Sequence, residues 1–450
     1  MDYTLTSKER AMAARCLEIA RAKGAQKARV TLNKSCMDLI GTLNGEVDKV
    51  SHCLDRSISI ALFVDGKYGS FSINRLEDKA LDDFIERAIA TARLLAEDPL
   101  RDLPDPARTA KDAVDGRELD LYDEACLTMD AKRRLDIALG ASVFKATTPA
   151  NNWTLISEEA EYSDCVFDTL VMDTQGLYCR HTETSFEYGV EMTVQDSAGD
   201  RYSGYWWNST PRLAELGAER ICDCALRRAV AQIGPKGLRS GKYRCVIDSE
   251  CAAKVVTPLL NALGAYAVQQ NNSFLCGKLG EKVFHEGFSV RDMCRNAGES
   301  GSRLFDSEGV ATTEHDIISH GVVKEYFINT YMAGKMQMAP TVEDATRPMV
   351  MPWPEPGLDR AALMERCGEG ILVTGFNGGN SNAATGDYSF GIEGFAFEDG
   401  HITHPVREML MTGNLVDLWN HFLAAGDDAR ICKSKLIPTL AFENVDFSGE

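Results

Sequence analysis

An α+β fold in two domains is predicted: an N-terminal α/β-mixed region with antiparallel strands, and a β-rich C-terminal domain. Three observations predict it. The chain has 450 residues, too many for one ordinary core, so two or three domains are expected. Hydrophobic residues make up 44%, the share of a globular chain rather than a disordered one. Helix and strand signals come in runs, not in strict βαβ alternation.

The elements follow in order. Thr6 to Ala22 reads as a helix, because Thr6 and Glu9 have capping-box spacing and Met12, Cys16 and Ala20 share a face. Asn44-Gly45 is a turn. Ile58, Ile60, Leu62 and Val64 alternate with Ser59, Ala61 and Phe63 before a hairpin turn at Asp65-Gly66. Asn74 is expected to cap a second helix through Leu81, Phe84, Ile85, Ala88, Ile89, Ala92 and Leu95. Asp98 to Gly116, with Pro99, Pro104 and Pro106 among charges, reads as a linker. A helix over Met129–Phe144 precedes antiparallel strands from Val166 to Trp207. Thr210-Pro211 is expected to open another helix, ended by Gly234-Pro235. The domain division is placed there: 1–235, divisible into 1–110 and 117–233, and then 236–450. The second part starts with a strand, Tyr243–Ile247, and a helix around Glu250–Leu263, and turns Gly-rich beyond.

Charge and targeting signals narrow the function. The net charge is −19, and nucleic-acid affinity comes from basic side chains that displace counterions, so no DNA or RNA partner is expected. Met1–Gln26 lacks the apolar core of a leader and carries Lys8, Glu9, Arg10 and Arg15. No uncharged apolar run is long enough to span a membrane. The 14 cysteines are scattered and read as reduced thiols. A cytoplasmic protein is expected.

The search for chemistry returns little. His-Glu-x-x-His and Gly-x-Ser-x-Gly are absent. His315 and His320 are five apart, the wrong spacing for one helix face. Gly237-Leu238-Arg239-Ser240-Gly241-Lys242 is one residue short of a P-loop. Two stretches stand out. Phe305-Asp306-Ser307-Glu308-Gly309 places the carboxylates of Asp306 and Glu308 together, where they can hold a cation, act as acid and base, or simply cap a turn. Thr374 to Gly394 interleaves Gly375, Gly378, Gly379, Gly386, Gly391 and Gly394 with Asn and Asp. So many glycines imply close backbone approach or positive φ, as in a ligand-binding loop or in packed turns.

The same stretches resemble the TldD/PmbA family. Phe305-Asp306-Ser307-Glu308-Gly309 resembles its FDxEG box and Thr385-Gly386-Asp387-Tyr388-Ser389 its TGDxS box. Pro405-Val406-Arg407-Glu408 with Gly413-Asn414-Leu415 resembles its ending. Asn44-Gly45-Glu46-Val47 and Asp173-Thr174-Gln175-Gly176-Leu177 resemble its N-terminal landmarks. The match runs in order over nearly the whole chain. The resemblance implies two branches: a TldD-like zinc peptidase with His-Glu-x-x-x-His on a helix, and a PmbA-like (TldE-like) branch without it that pairs with the first. Here that helix falls about Val255–Ala265 and contains no zinc ligand type. The expectation is therefore a non-catalytic subunit of a cytoplasmic zinc peptidase acting on unfolded peptides. Zinc is expected in a TldD-like partner, and no metal or other cofactor in this chain. The peptide-binding candidates are Thr385, Gly386, Asp387, Tyr388 and Ser389, with Asp306 and Glu308. A stand-alone homodimeric binding or regulatory protein, and a hydrolase using Asp306 and Glu308, remain as alternatives.

Overall fold

The computed structural model describes residues 3–149 and 152–449; Met1 and Asp2, the first two residues of the stretch read as no leader, lie outside them. The chain divides into two compact units, Met1–Ala231 with Arg295–Thr312, and Gln232–Cys294 with Thr313–Glu450. The chain leaves the first unit at Ala231 and returns to it for Arg295–Thr312, a return for which the linear division at 235/236 has no place.

In the first unit the order is α1 (Ser7–Ala22), β1 (Lys27–Leu43), β2 (Glu46–Val64), β3 (Lys67–Ile73), α2 (Asp78–Ala92), α3 (Ala131–Gly140), β4 (Trp153–Asp173), β5 (Tyr178–Asp196), β6 (Arg201–Thr210) and α4 (Ala218–Ala231). The six strands form one sheet in the order β3-β2-β1-β4-β5-β6, antiparallel throughout. The period of two puts Ala28, Val30 and Leu32 of β1 beside Ile58, Ile60 and Leu62 of β2, and the apolar stripes of α1 and α2 cover that face. Each fully buried Ile or Leu contributes about 1.5–3 kcal/mol there. The capping box of α1 forms as its spacing predicts: Thr6 accepts from the Glu9 amide and the Glu9 carboxylate accepts from the Thr6 amide.

Three local readings need correction. The cap of α2 is Glu77, with no side-chain bond, and the helix ends at Ala92, so Asn74 and the exposed Leu95 both lie outside it. Asp98–Gly116 is irregular but packed: Ala110 and Ala113 are buried, and the Arg180 and Thr182 amides donate to the Ala113 and Gly116 carbonyls of this segment. The segment is a cover for the sheet rather than a linker. Pro211 opens no α-helix; α4 begins only at Ala218.

The second unit contains β7 (Gly241–Ile247), α5 (Ala253–Ala262), α6 (Ala265–Gln269), β8 (Val290–Asp292), β9 (His315–Ser319), β10 (Val322–Val323), α7 (Thr330–Met336), β11 (Pro348–Val350), α8 (Arg360–Cys367), β12 (Gly370–Ser381), β13 (Asp387–Glu398), β14 (His401–Asn414), α9 (Leu415–Asn420), β15 (Phe422–Ala425) and β16 (Leu440–Ser448). One sheet runs β14-β13-β12-β7-β16-β15, and β14 also pairs with β16, so five strands close into a barrel. Only its β7–β12 pairing is parallel. A small sheet, β10-β9-β8-β11, stands beside it. Trp419 is fully buried at the centre, its ring stacked on Phe288 at 3.8 Å and its Nε1 donating to the Val255 carbonyl at 3.2 Å. That bond fixes α5 to the barrel core. The fold is α+β.

Candidate functional site

The Gly-rich stretch is the hairpin of β12 and β13. Its turn is held by short polar side chains. Asn382 Oδ1 accepts from the Ala384 amide at 2.9 Å, and Thr385 Oγ1 donates to Asp387 Oδ2 at 2.7 Å. Asn414, the N-cap of α9, donates through Nδ2 to Asp387 Oδ1 at 2.9 Å and to the Thr385 carbonyl at 2.8 Å. Those bonds, from Asn414 first and Thr385 second, hold the Asp387 carboxyl below its ordinary range. Gly386 sits at φ +82°, and a Cβ there would lie 3.2 Å from the Phe274 ring and 3.4 Å from Asn414 Nδ2. Tyr388 is buried and stacked on Phe390, whereas Thr385, Asp387 and Ser389 are exposed. Asn414 was legible only as part of a box; its N-cap spacing before Leu415 was the signal for its role.

Several glycines are required by the chain itself. A Cβ on Gly379 would lie 1.9 Å from the Ser389 carbonyl oxygen, and one on Gly394 2.0 Å from that of Leu372. Gly378 differs: it is exposed, and although its φ of +159° disfavours an L residue, a Cβ there meets nothing within 4 Å.

One edge of β12 is open. β7 pairs with it only over Ile371–Val373, so from Gly375 to Ser381 it has a strand partner on one side alone among the described residues. Beside this stretch stands α5, whose Lys254 Nζ reaches the Gly379 carbonyl at 3.4 Å and lies 4.8 Å from the Phe390 ring centre. An unpaired strand edge offers alternating N–H and C=O groups to an extended chain. The sequence reading missed this edge, because it depends on where β7 ends rather than on any residue of β12.

Asp306 and Glu308 belong to the other unit. Asp306 Oδ1 accepts from the amides of Glu308 and Val310, both at 2.9 Å, which is the bonding of a turn. Glu308 is buried, and its carbonyl accepts from Arg29 at 3.4 Å. The glycine of this box, Gly309, has φ +84°, and a Cβ there would lie 2.4 Å from Leu177 Cδ2. Thus two stretches far apart in sequence, 305–309 and 173–177, pack against each other. Phe305, Leu177, Val171 and Ala110 share one apolar cluster.

The donor inventory does not favour zinc at α5. Zinc needs imidazole, thiolate or carboxylate ligands. The helix buries Val255, Val256, Leu259, Leu260 and Ala262 and has Pro258 in its middle. The residues there do not fit the metal. Among the described residues, one group of three His, Cys, Asp or Glu donors converges, and it lies in the first unit: Cys36, Asp38 and His52.

His315 and His320 do not form a pair on a helix; His315 starts strand β9 and His320 follows it. His315 Nδ1 faces the Thr313 carbonyl at 2.8 Å, and Nε2 lies at an ion-pair distance of 3.0 Å from Glu325. Burial pulls this imidazole down, but Glu325, the Thr313 carbonyl and Asp292 outweigh it and hold the group up at about 9. Its raised value stabilises the second unit below the unfolded pKa of about 6.5, and that contribution is lost as pH rises through about 9. At most about 3 kcal/mol is involved. Denaturant unfolding of His315→Gln against the parent protein, compared at about pH 6 and pH 10, should show a flatter pH dependence in the variant. Parallel profiles would rule the assignment out.

Three family models match in sequence order: PmbA/TldA metallopeptidase domain 1 over residues 28–92, the central domain over 123–233 and the C-terminal domain over 240–449. The metalloprotease PmbA of Escherichia coli O157:H7 is 27% identical over 94% of this chain and 93% of its own length. A Bacteroides thetaiotaomicron crystal structure described as a candidate modulator of DNA gyrase is 35% identical and superposes with a TM-score of 0.93, over 99% of this chain and 100% of that one. TldE from Thermococcus kodakarensis shares the fold at 17% identity, with a TM-score of 0.82 over 97% of this chain and 100% of that one. Matched from residue 28 to residue 449, the chain belongs to the PmbA/TldD metallopeptidase family.

Proposed function

We propose that this chain is the non-catalytic, PmbA/TldE-like subunit of a cytoplasmic TldD/TldE-type zinc metallopeptidase that acts on unfolded peptides. One observation carries the reading. The resemblance puts the zinc-bearing helix of the other branch at about Val255–Ala265; here most of that stretch lies in α5, which has no His, Cys, Asp or Glu and stands beside the open edge of β12. That edge suits an extended peptide, which would add to it as a strand through backbone hydrogen bonds. The role needs no titrating side chain, in keeping with an Asp387 whose oxygens are already bonded within the turn. The name metalloprotease carried by the Escherichia coli relative supports proteolysis as the family chemistry. The name PmbA of the same relative agrees with the branch.

The test is reconstitution. The purified chain alone is expected to leave an unfolded peptide intact. Mixed with a TldD-like subunit from the same source, it should form a stable complex and raise or enable cleavage. Chelator-sensitive hydrolysis by the isolated chain would support a hydrolase built on Asp306 and Glu308 instead. A self-dimer that never engages the second subunit would overturn the pairing.

A further inference from the structure

The ladder of β1 and β2 gathers three different metal-binding side chains on one face of the first unit's sheet. Cys36 and Asp38 are two residues apart on β1, so they point the same way. His52 on β2 is the direct register partner of Asp38. The Cys36 thiol, an Asp38 oxygen and a His52 ring nitrogen lie within 4.8 Å of one another. Exposure rises across the trio: Cys36 is buried, Asp38 half-buried and His52 exposed, so the donors open to solvent on the histidine side.

The surroundings orient these donors. Asp38 Oδ1 is 2.8 Å from His52 Nδ1, and its Oδ2 is 2.9 Å from Arg134 Nη2. Arg134 also grips Asp164, the register partner of Asp38 on β4, with Nε at 2.7 Å and Nη2 at 2.9 Å. Asp164 therefore cancels the charge of Arg134. Asp38 and a Cys36 thiolate together balance a divalent cation. The Tyr3 ring lies 6.3 Å from the His52 ring and flanks the same spot.

We propose that Cys36, Asp38 and His52 form a divalent-cation site of the zinc type, with further coordination open to solvent. Mixed thiolate, imidazole and carboxylate ligation selects zinc over calcium or magnesium, which take oxygen ligands. On binding, the cation takes Asp38 Oδ1 and His52 Nδ1 out of their mutual contact and accepts the Cys36 sulfur, whose proton leaves to solvent. Arg134 stays on Asp38 Oδ2 and holds the ligand in place, as carboxylate ligands are commonly held. The ion would tie β1 to β2, and the site is independent of α5 and of the subunit reading.

Cobalt(II) serves as the probe, because a thiolate bound to it absorbs in the near ultraviolet. The full chain, first stripped with chelator, is titrated with Co²⁺ alone. The thiolate–cobalt band is expected to saturate at one ion per chain, to bleach on addition of Zn²⁺ and to accompany a rise in melting temperature. Cys36→Ser should abolish the band. His52→Gln, at an exposed position that the fold tolerates, should weaken cobalt binding about tenfold or more. A chain that shows no saturating band overturns the site. A band of parental strength in Cys36→Ser, or parental affinity in His52→Gln, overturns it as well.

Discussion

Alanine at Gly379 is expected to cost the second unit about 3–5 kcal/mol, in the range reserved for strained backbone and forced overpacking. Two effects add. The residue sits at φ +85°, where an L side chain is strained, and its Cβ would lie 1.9 Å from the Ser389 carbonyl oxygen. That oxygen is backbone and cannot rotate away, so the β12–β13 hairpin must open. Gly378→Ala is the matched comparison: at φ +159° it also strains an L residue, but its Cβ meets no atom within 4 Å, so the difference between the two variants isolates the collision. Denaturant melting of both variants should show a clearly larger loss for Gly379→Ala than for Gly378→Ala; equal losses would mean the hairpin register is wrong. The same pair probes the proposed groove. Gly378→Ala adds a methyl on the exposed face of the hairpin and should reduce partner-dependent cleavage by more than its loss of stability accounts for. Gly386→Val is a poorer probe, because its side chain would press on Phe274 and Asn414 of the same chain.

Asp168→Ala should destabilise the first unit by about 3–5 kcal/mol, the cost of breaking a buried pair from one side. Asp168 is fully buried on β4. Its carboxylate accepts from the Leu5 amide at 2.8 Å and from Arg180 Nε and Nη2 at 3.0 and 2.6 Å. Without it, Arg180 keeps its charge with a side chain only 13% exposed. The double variant Asp168→Ala with Arg180→Met should recover part of the loss, because the uncompensated charge goes with the arginine. Additive losses in that cycle, measured by urea unfolding, would show that the pair is not coupled.

What the sequence made legible was local. The α1 capping box and the Asn44-Gly45 and Asp65-Gly66 turns were readable because each closes within a few residues; all four turn residues have positive φ, as such hairpin turns require. The strands from Val166 to Trp207 were readable from the turns between them, at Thr174–Gly176 and Ser197–Asp200, although β4 begins earlier, at Trp153. The misreadings were non-local. Asp98–Gly116 looks like a linker because the groups that bury it, on β5 and in 304–311, are far away in sequence. The candidate site shows the same limit. Thr385 to Ser389 were identifiable as a turn, but the partner that fixes Asp387 lies 27 residues on, at Asn414. The open edge of β12 is a property of topology and has no residue signature.

The return of Arg295–Thr312 to the first unit has a consequence for biosynthesis. Leu304 and Phe305 complete an apolar cluster with Val171, Leu177 and Cys179. A nascent chain stopped at 294 has therefore made the whole six-stranded sheet and still leaves that patch of it wet. The first unit cannot finish folding before Gln232–Cys294 of the second has been translated, even though domains usually fold in order from the N terminus. Chains truncated near 235 would carry a permanently uncovered patch, and such surfaces invite aggregation and chaperone capture.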